Sequence, residues 1–134
     1  MTQPASAKSI GDRFIQALET LETQKALEPM TGLFCEDCEI SNLMSHTPYQ
    51  GRVGARRFWT EYLHSFESVR SRFIHRTDHE DLVTLEWISE GKLRNGETFR
   101  YPGVTLLGIE GGRVKRFRAY YDSAALPLGK SSAA

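Results

Sequence analysis

The spacing of hydrophobic residues changes once along the chain, from a helical period to a strand period. In the first half, apolar residues recur every three or four positions, beginning with the run Ile10, Phe14, Ala17, Leu18 and Leu21. This spacing predicts an amphipathic helix with Ser9 as its N-cap. We predict a second, short helix within residues 23–34 and a third over about residues 53–66, with a short strand and an irregular loop between them.

From residue 71 onward, hydrophobic and polar residues alternate, which is typical of strands with one buried face. The alternation predicts four strands, at residues 71–77, 82–93, 98–109 and 113–122. The pair Asn95-Gly96 marks a tight hairpin turn, because both residues tolerate positive φ. Helices followed by a meander of strands predict an α+β fold, in which three N-terminal helices pack on one face of a curved antiparallel sheet.

The alternation also assigns one face of each strand to the wall of a cavity. These inward positions carry no carboxylate and no arginine: Val83, Leu85, Trp87, Ser89, Phe99, Tyr101, Gly103, Thr105, Leu107, Phe117, Ala119 and Tyr121. Most charged side chains of the strands fall on the opposite face. Pro102 lacks a backbone donor, which predicts either a bulge or an edge position, and a bulge would place Arg100 inside instead of Tyr101.

Length and charge narrow the class of protein. The chain has 134 residues, and its 17 basic and 17 acidic side chains cancel. A neutral chain argues against a nucleic-acid partner and against binding to a membrane through a basic patch. No apolar run is long enough to span a bilayer. We therefore expect a soluble cytoplasmic protein with one domain over residues 9–126 and flexible ends at residues 1–8 and 127–134.

Two cysteines, Cys35 and Cys38, form a C-x-x-C spacing that could suggest redox chemistry or a metal. Redox pairs of this kind lie at a helix N-terminus, whereas this pair follows a helical run, and the acidic residues between the cysteines disfavour a thiolate. A structural zinc site needs four ligands, and no second cysteine pair exists. We interpret both cysteines as buried or half-buried thiols.

The order of elements, together with four stretches of sequence, resembles the SnoaL-like proteins of the nuclear-transport-factor-2-like superfamily. The stretches are RFIQALET, LFCEDCEI, PYQGRVGARRFW and EGGRVKRFRAYYD, and the resemblance spans about residues 9–124. It implies a cone-shaped sheet wrapped around the helices, a deep apolar pocket and a homodimer. Because the family is similar in shape across cyclases, isomerases, dehydratases, epoxide hydrolases and non-enzymatic binders, it implies no single activity.

The chain resembles two enzymes of that superfamily, limonene epoxide hydrolase and ketosteroid isomerase, but it does not match their catalytic carboxylates. The hydrolase pattern implies Arg-x-Asp where residues 87–89 are Trp-Ile-Ser, and an aspartate at Ala119, although its pocket asparagine is matched by Asn42. The isomerase pattern implies an aspartate at about Asn42 and a tyrosine at Phe14. Asp122 resembles an aspartate common in the family, and we expect it to hold the end of the last strand.

Candidate site residues follow from the inward faces and from the resemblance. We expect ligand contacts from Asn42, Trp59, Trp87, Ser89, Tyr101, Thr105, Phe117 and Tyr121. Aromatic rings suit an apolar, cyclic molecule, and a few hydroxyl and amide groups would orient its oxygen atoms. Because the predicted walls carry no carboxylate, the catalytic candidates are His75, His46 and Asn42, histidine being able to titrate near neutral pH. No metal and no cofactor are expected.

Three functions remain open from the sequence, and whether the protein is an enzyme is open with them. The first is a pocket protein that binds a small, mostly apolar, cyclic molecule, with at most isomerase- or cyclase-type chemistry. The second is an isomerase, cyclase or hydrolase with His75 or His46 as general base. The third is a non-catalytic dimerisation module whose cavity is filled by its own side chains. The half-apolar outer face of the sheet predicts a homodimer.

Overall fold

The computed structural model describes residues 9–42 and 47–122. Its helices are α1 (Ile10–Gln24), α2 (Glu28–Thr31) and α3 (Gly51–Ser65). Its strands are β1 (Phe34–Asn42), β2 (Tyr49–Gln50), β3 (Phe66–Asp78), β4 (Leu82–Leu93), β5 (Thr98–Glu110) and β6 (Arg113–Tyr121). The predicted flexible ends, residues 1–8 and 127–134, lie outside the described residues.

Local interactions explain where α1 begins and ends and where α2 begins. The Ser9 hydroxyl oxygen accepts a hydrogen bond from the backbone N–H of Asp12 at 3.0 Å, which confirms the predicted N-cap of α1. The helix closes at Lys25, whose φ of 61° is left-handed and whose N–H donates to the Leu21 carbonyl oxygen at 2.9 Å. Pro29 lies in the first turn of α2, where a helix tolerates proline.

The strands form one curved, unclosed sheet of six strands in the order β2-β1-β6-β5-β4-β3. Together with the helices it confirms the predicted α+β class. The prediction of a purely antiparallel sheet needs correction, because β1 runs parallel to β6. Alternation within a strand fixes its faces and not the direction of a distant partner. β3 also begins earlier than predicted, because as the last strand of the sheet it carries exposed polar residues that hide the pattern.

The predicted faces of β4, β5 and β6 are confirmed, since their inward residues are buried or, at Tyr121, half-buried. The register between β4 and β5 runs unbroken from the pair Leu82–Gly108 to the pair Lys92–Thr98. There is therefore no bulge at Pro102, and Arg100 stays outside. The last pair between β5 and β6 is Gly103 with Tyr121, so Pro102 lies where β5 has a described neighbour on one side only.

Two clusters of buried side chains hold the helices against the sheet. The larger joins α1, β1 and α3 to the sheet through residues such as Phe14, Leu21 and Phe34. The smaller, centred on Phe66 and Phe99, fills the end of the sheet near the β4–β5 hairpin. No helix among residues 9–42 and 47–122 is long and apolar enough to cross a membrane.

The C-x-x-C pair lies on β1, with Cys38 buried and Cys35 half-buried, and both thiols are free. Burial raises the pKa of both thiols above the ordinary cysteine value, with nearby negative charges adding to the effect. The interpretation as buried and half-buried thiols is confirmed. Within the described part of the chain, no group of three or more histidine, cysteine, aspartate or glutamate side chains is placed to hold a metal ion.

Candidate ligand-binding site

A cavity of about 320 Å³ lies between the helices and the inward face of the sheet. Residues from α1, α3, β1 and the strands β3 to β6 form its wall. Both buried clusters contribute, with Phe14 and Phe58 from the larger and Phe66 and Tyr101 from the smaller. The cavity therefore occupies the gap that the two clusters leave between them.

All the residues predicted to contact a ligand line this cavity: Asn42, Trp59, Trp87, Ser89, Tyr101, Thr105, Phe117 and Tyr121. They come from one helix and four strands that are distant in sequence. The period-2 alternation correctly predicted that the residues of β4, β5 and β6 share one face, because these strands keep their register along the wall. Their common location is a structural finding, whereas their role as ligand contacts stays a prediction.

The position of Trp87 on the sheet wall depends on a hydrogen bond to Thr105 and on the absence of a side chain at Gly103. Its indole Nε1 donates to the Thr105 hydroxyl oxygen at 2.8 Å, so these two buried polar groups satisfy each other. The ring also lies over Gly103, where a Cβ atom would clash with the Trp87 Cη2 atom. Glycine at position 103 is thus required for the ring to lie where it does.

The rest of the wall is aromatic, with rings meeting edge to face. The Trp87 and Tyr101 ring centroids are 5.3 Å apart at 87°, and Tyr101 and Tyr121 meet at 5.3 Å and 69°. Across the cavity, Trp59 packs against Phe117 at 5.5 Å and 78°. Such contacts stabilise the wall and hold the rings in defined orientations.

A few polar groups remain on or near this wall. Burial raises the pKa of the Tyr121 phenol to about 12, and burial also raises the pKa of Tyr101, so both hydroxyls are protonated at neutral pH. Trp59 is buried, and its Nε1 has no hydrogen-bond partner among the described residues. These groups can donate hydrogen bonds to a bound oxygen atom.

Behind the cavity lies a buried carboxylate, Glu22, near the end of α1, with 4% of the residue exposed. Its Oε2 accepts hydrogen bonds from the Tyr62 hydroxyl at 2.7 Å and from the Ser71 hydroxyl at 2.6 Å, while its Oε1 accepts from the Ser71 backbone N–H at 2.8 Å. The Ser71 Oγ is also 2.7 Å from the Ser89 Oγ. Tyr62, Ser71 and Ser89 all line the cavity, so Glu22 is connected to it through hydrogen bonds.

Burial raises the pKa of the Glu22 carboxyl above its ordinary value, because removal from water disfavours the charged form. The hydrogen bonds from Ser71 and Tyr62 and the positive charge of Arg70 lower that pKa and offset part of the effect. Glu22 in turn raises the pKa of Tyr62 and Tyr101, whose own burial is the larger cause. The pKa of Glu22 therefore depends on its burial and on its hydrogen bonds to Ser71 and Tyr62.

Sequence reasoning missed Glu22 because it examined the strand faces for carboxylates and not the helices. The signal was present, since Phe14, Leu18 and Glu22 are spaced four residues apart and so share the apolar stripe of α1. A second carboxylate, Glu61 of α3, lines the cavity directly. It is exposed, accepts a hydrogen bond from the Tyr49 hydroxyl at 2.5 Å and pairs with Arg57 at 3.2 Å. Among the described residues, the strands therefore place no carboxylate in the wall, whereas α3 places Glu61 in it and α1 places Glu22 behind it.

Of the two catalytic histidine candidates, His75 is described by the structure, and it lies away from the cavity. The His75 side chain is 81% exposed, and its Nδ1 lies 2.9 Å from Glu86 Oε1 on the outer face of the sheet. The cause is a register shift in β3: Phe73 pairs with the inward residue Trp87, but His75 pairs with the outward residue Glu86. This shift reverses the face that simple alternation would give. His46 lies outside the described residues, and the remaining candidate, Asn42, lines the cavity.

Comparisons with known proteins agree with this architecture. The model of a family described as SnoaL-like domain matches residues 12–117. Among curated proteins, no sequence matches this chain. Many solved structures are similar in fold, however.

One similar structure is a candidate SnoaL-like polyketide cyclase from Jannaschia sp. CCS1, at 16% identity, TM-score 0.73 and coverage of 98% of this chain and 97% of that one. A second is a protein with a ketosteroid isomerase-like fold from Catenulispora acidiphila DSM 44928 in complex with trimethylamine, at 18% identity, TM-score 0.76 and coverage of 88% and 92%. A third is an epoxide hydrolase from M. tuberculosis that resembles limonene epoxide hydrolase, at 11% identity, TM-score 0.69 and coverage of 90% and 88%. At these identities the similarity shows a shared fold.

Proposed function

The chain belongs to the SnoaL-like domain family, and we propose that it binds a small, mostly apolar, ring-containing molecule in the cavity between α1, α3 and the sheet. Any chemistry there would be of the isomerase or cyclase type. The observation that carries the proposal is the cavity itself, whose aromatic wall includes every residue that the sequence predicts to contact a ligand. Its volume of about 320 Å³ falls within the range of small-molecule sites.

The chemistry of the wall supports a cyclic ligand. Rings that present both faces and edges, as Trp87, Tyr101 and Tyr121 do, favour another ring placed against them. The few polar groups can orient a carbonyl or hydroxyl oxygen without competing with the apolar contacts. The similar structures include a candidate polyketide cyclase and a protein with an isomerase-like fold, which supports the same class of reaction.

The other two functions left open by the sequence receive less support. A general base at His75 would have to reach the cavity from the outer face, where that side chain pairs with Glu86, and His46 lies outside the described residues. A module whose cavity is filled by its own side chains would leave no room for a ligand, and about 320 Å³ is open. The proposal therefore rests on binding first, with chemistry as a second step.

A cavity-filling substitution tests the binding site without removing core packing. Ala119 lines the cavity, so Ala119→Leu would occupy space that the ligand needs. With 2-naphthol as an apolar two-ring probe, we expect fluorescence titration to show at least about a tenfold loss of affinity, equal to about 1.4 kcal/mol. Val104→Phe, an enlargement of comparable size at a half-buried position on the outer face, is the matched control and should leave affinity unchanged. Equal affinity in both variants would reject the site.

The same strands support a homodimer as a further part of the proposal. The outer face combines half-buried Ile88, Val104 and Leu106 with Tyr120, which is 45% exposed. Acidic and basic groups lie together on that face, including Glu90 with Arg100 at 3.4 Å. A surface with both signs of charge can be complementary to itself, as a twofold interface requires. The occupant we propose is a second copy of this chain.

A further inference from the structure

A continuous line of hydrogen bonds runs from the cavity to the buried carboxyl of Glu22. Ser89 lines the cavity, and its Oγ is 2.7 Å from the Ser71 Oγ. The Ser71 Oγ is 2.6 Å from Glu22 Oε2. Each step lies within ordinary hydrogen-bond distance for hydroxyl donors. The three groups come from β4, β3 and α1, so the line exists only in the folded protein.

The directions of these hydrogen bonds are fixed by counting protons. A serine hydroxyl has one proton to donate. When Glu22 is ionised, Ser71 gives its proton to the carboxylate and can only accept from Ser89. Ser89 then directs its own proton toward Ser71 and leaves its lone pairs for a donor. Every donor in the line therefore faces the carboxylate, and its open end is Ser89.

We propose that Ser89, Ser71 and Glu22 form a proton-transfer chain that accepts a proton from a bound ligand carrying an acidic hydroxyl, of the phenol or enol class. The proposal deepens the proposed function, because it needs such a ligand in the same cavity. Ser89 is the residue that touches the ligand. Glu22 acts through the two serines.

The transfer balances without any other reactant. The O–H bond of the ligand breaks and its proton forms a new O–H bond on Ser89. Ser89 passes its original proton to Ser71, and Ser71 passes its original proton to Glu22 Oε2. One proton has moved in total, the ligand has become an oxyanion, and the carboxylate has become a neutral acid. The reverse sequence returns the proton to the ligand.

The surroundings of Glu22 favour exchange of a proton in this direction. Burial raises the pKa of its carboxyl, which narrows the gap to the pKa of a weakly acidic ligand hydroxyl. The titratable and charged groups that interact with it are the Tyr62 hydroxyl from α3, the Tyr101 hydroxyl from β5 and the charge of Arg70 on β3. The transfer moves the negative charge from the buried carboxylate to the ligand oxygen in the cavity, where the hydroxyls that line it can donate hydrogen bonds to it.

Fluorescence of bound 2-naphthol tests the chain directly, because this phenol is a stronger acid when excited and its neutral and ionised forms emit at different wavelengths. In the wild-type protein at pH 8, we expect bound probe to emit as naphtholate. This emission should fall as pH is lowered through the pKa of Glu22, with a midpoint above that of a free glutamate. Glu22→Gln removes the carboxylate that accepts the proton. Naphthol bound to this variant should therefore emit in its neutral form at every pH below the ground-state pKa of the probe.

Two further variants separate proton transfer from a structural role of Glu22. Ser71→Ala keeps the carboxyl but interrupts the line, and should also lose naphtholate emission. Glu19→Gln changes an exposed glutamate of the same helix and should leave the emission unchanged. Bound naphthol that emits only in its neutral form in the wild type, or naphtholate emission that persists in both Glu22→Gln and Ser71→Ala, would overturn the proposal.

Failure of 2-naphthol to bind would count against the proposed function. The proton-transfer chain can still be tested in that case, in the protein without ligand. Infrared spectra of the unliganded protein should then show a protonated carboxyl band that titrates above free glutamate, is absent in Glu22→Gln and shifts in Ser71→Ala. A band that is missing, or that ignores the loss of the Ser71 hydroxyl, would overturn the proton-transfer chain independently of binding.

Discussion

The two walls of the cavity differ in what their buried polar groups can do. On the sheet wall, the Trp87 indole N–H and the Thr105 hydroxyl bond to each other, which fixes a ring and adds no charge. On the helix side, Glu22 is buried with its hydrogen-bond donors supplied by Tyr62 and Ser71. The first arrangement shapes the cavity, whereas the second brings a titratable group to it. The buried carboxyl thus comes from the helix layer, whereas the groups that shape the opposite wall come from the sheet.

The largest expected effect concerns the sheet wall. Trp87→Ala should lower the free energy of unfolding by about 4 kcal/mol, because it leaves a large space in the smaller buried cluster. Trp87→Phe keeps a six-membered ring but removes the N–H donor to Thr105 and a smaller part of the buried volume. We expect it to cost about 2 kcal/mol. Urea unfolding measures both, and similar losses in the two variants would mean that the hydrogen bond matters more than the volume.

The sequence predicts the sheet wall of the cavity better than it predicts the rest of the fold. Residues 83–121 alternate so regularly that the strand residues of the cavity could be assigned before the structure was known, and Trp87, Tyr101 and Tyr121 all lie where alternation places them. His75 was misplaced because a register shift after Phe73 leaves no mark in the alternation. The pairing of β1 with β6 was missed for a similar reason, since it depends on contacts between distant segments.

Glu22 shows a different limit. A glutamate on the apolar stripe of a helix can be solvated or buried, depending on what the sheet places over it. Only the fold reveals that Ser71 and Tyr62 supply the donors that make its burial possible. A charged residue at the spacing of Phe14 and Leu18 was the available signal, and its meaning depended on the partner strand.

The next prediction concerns the helix wall and depends on pH. Because burial raises the pKa of Glu22 in the folded protein, the folded state binds that proton more tightly than the unfolded state does. The contribution of Glu22 to stability should be full below its unfolded pKa of about 4.3 and be lost as pH rises through the folded pKa. Each unit by which the pKa is raised corresponds to about 1.4 kcal/mol.

The measurement is the difference in free energy of unfolding between the wild type and Glu22→Gln from about pH 4 to pH 8. Subtracting the variant removes the opposite trend expected from Asp12 and Asp78, whose carboxyl pKa values are lowered by Arg76 and whose contribution is lost as pH falls. We expect the difference to decline as pH rises. A difference that stays flat would show that the Glu22 carboxyl titrates alike in both states, and the contrast between the walls would be one of shape alone.

The smallest expected effect on stability concerns the outer face of the same strands, where the side chains between the cavity residues point away from it. Tyr120 lies between the inward residues Ala119 and Tyr121 and is 45% exposed. Tyr120→Glu should change the unfolding free energy of the isolated chain by no more than about 0.5 kcal/mol, as is usual for surface positions.

In a dimer formed through this face, however, the new charge at position 120 would repel the same charge on the second copy, and apolar contact would be lost. Sedimentation velocity should therefore show a dimer for the wild type and for Tyr120→Phe, and a monomer for Tyr120→Glu. A wild type that sediments as a monomer at all concentrations would remove the second copy from this face, and its half-apolar residues would then need another explanation.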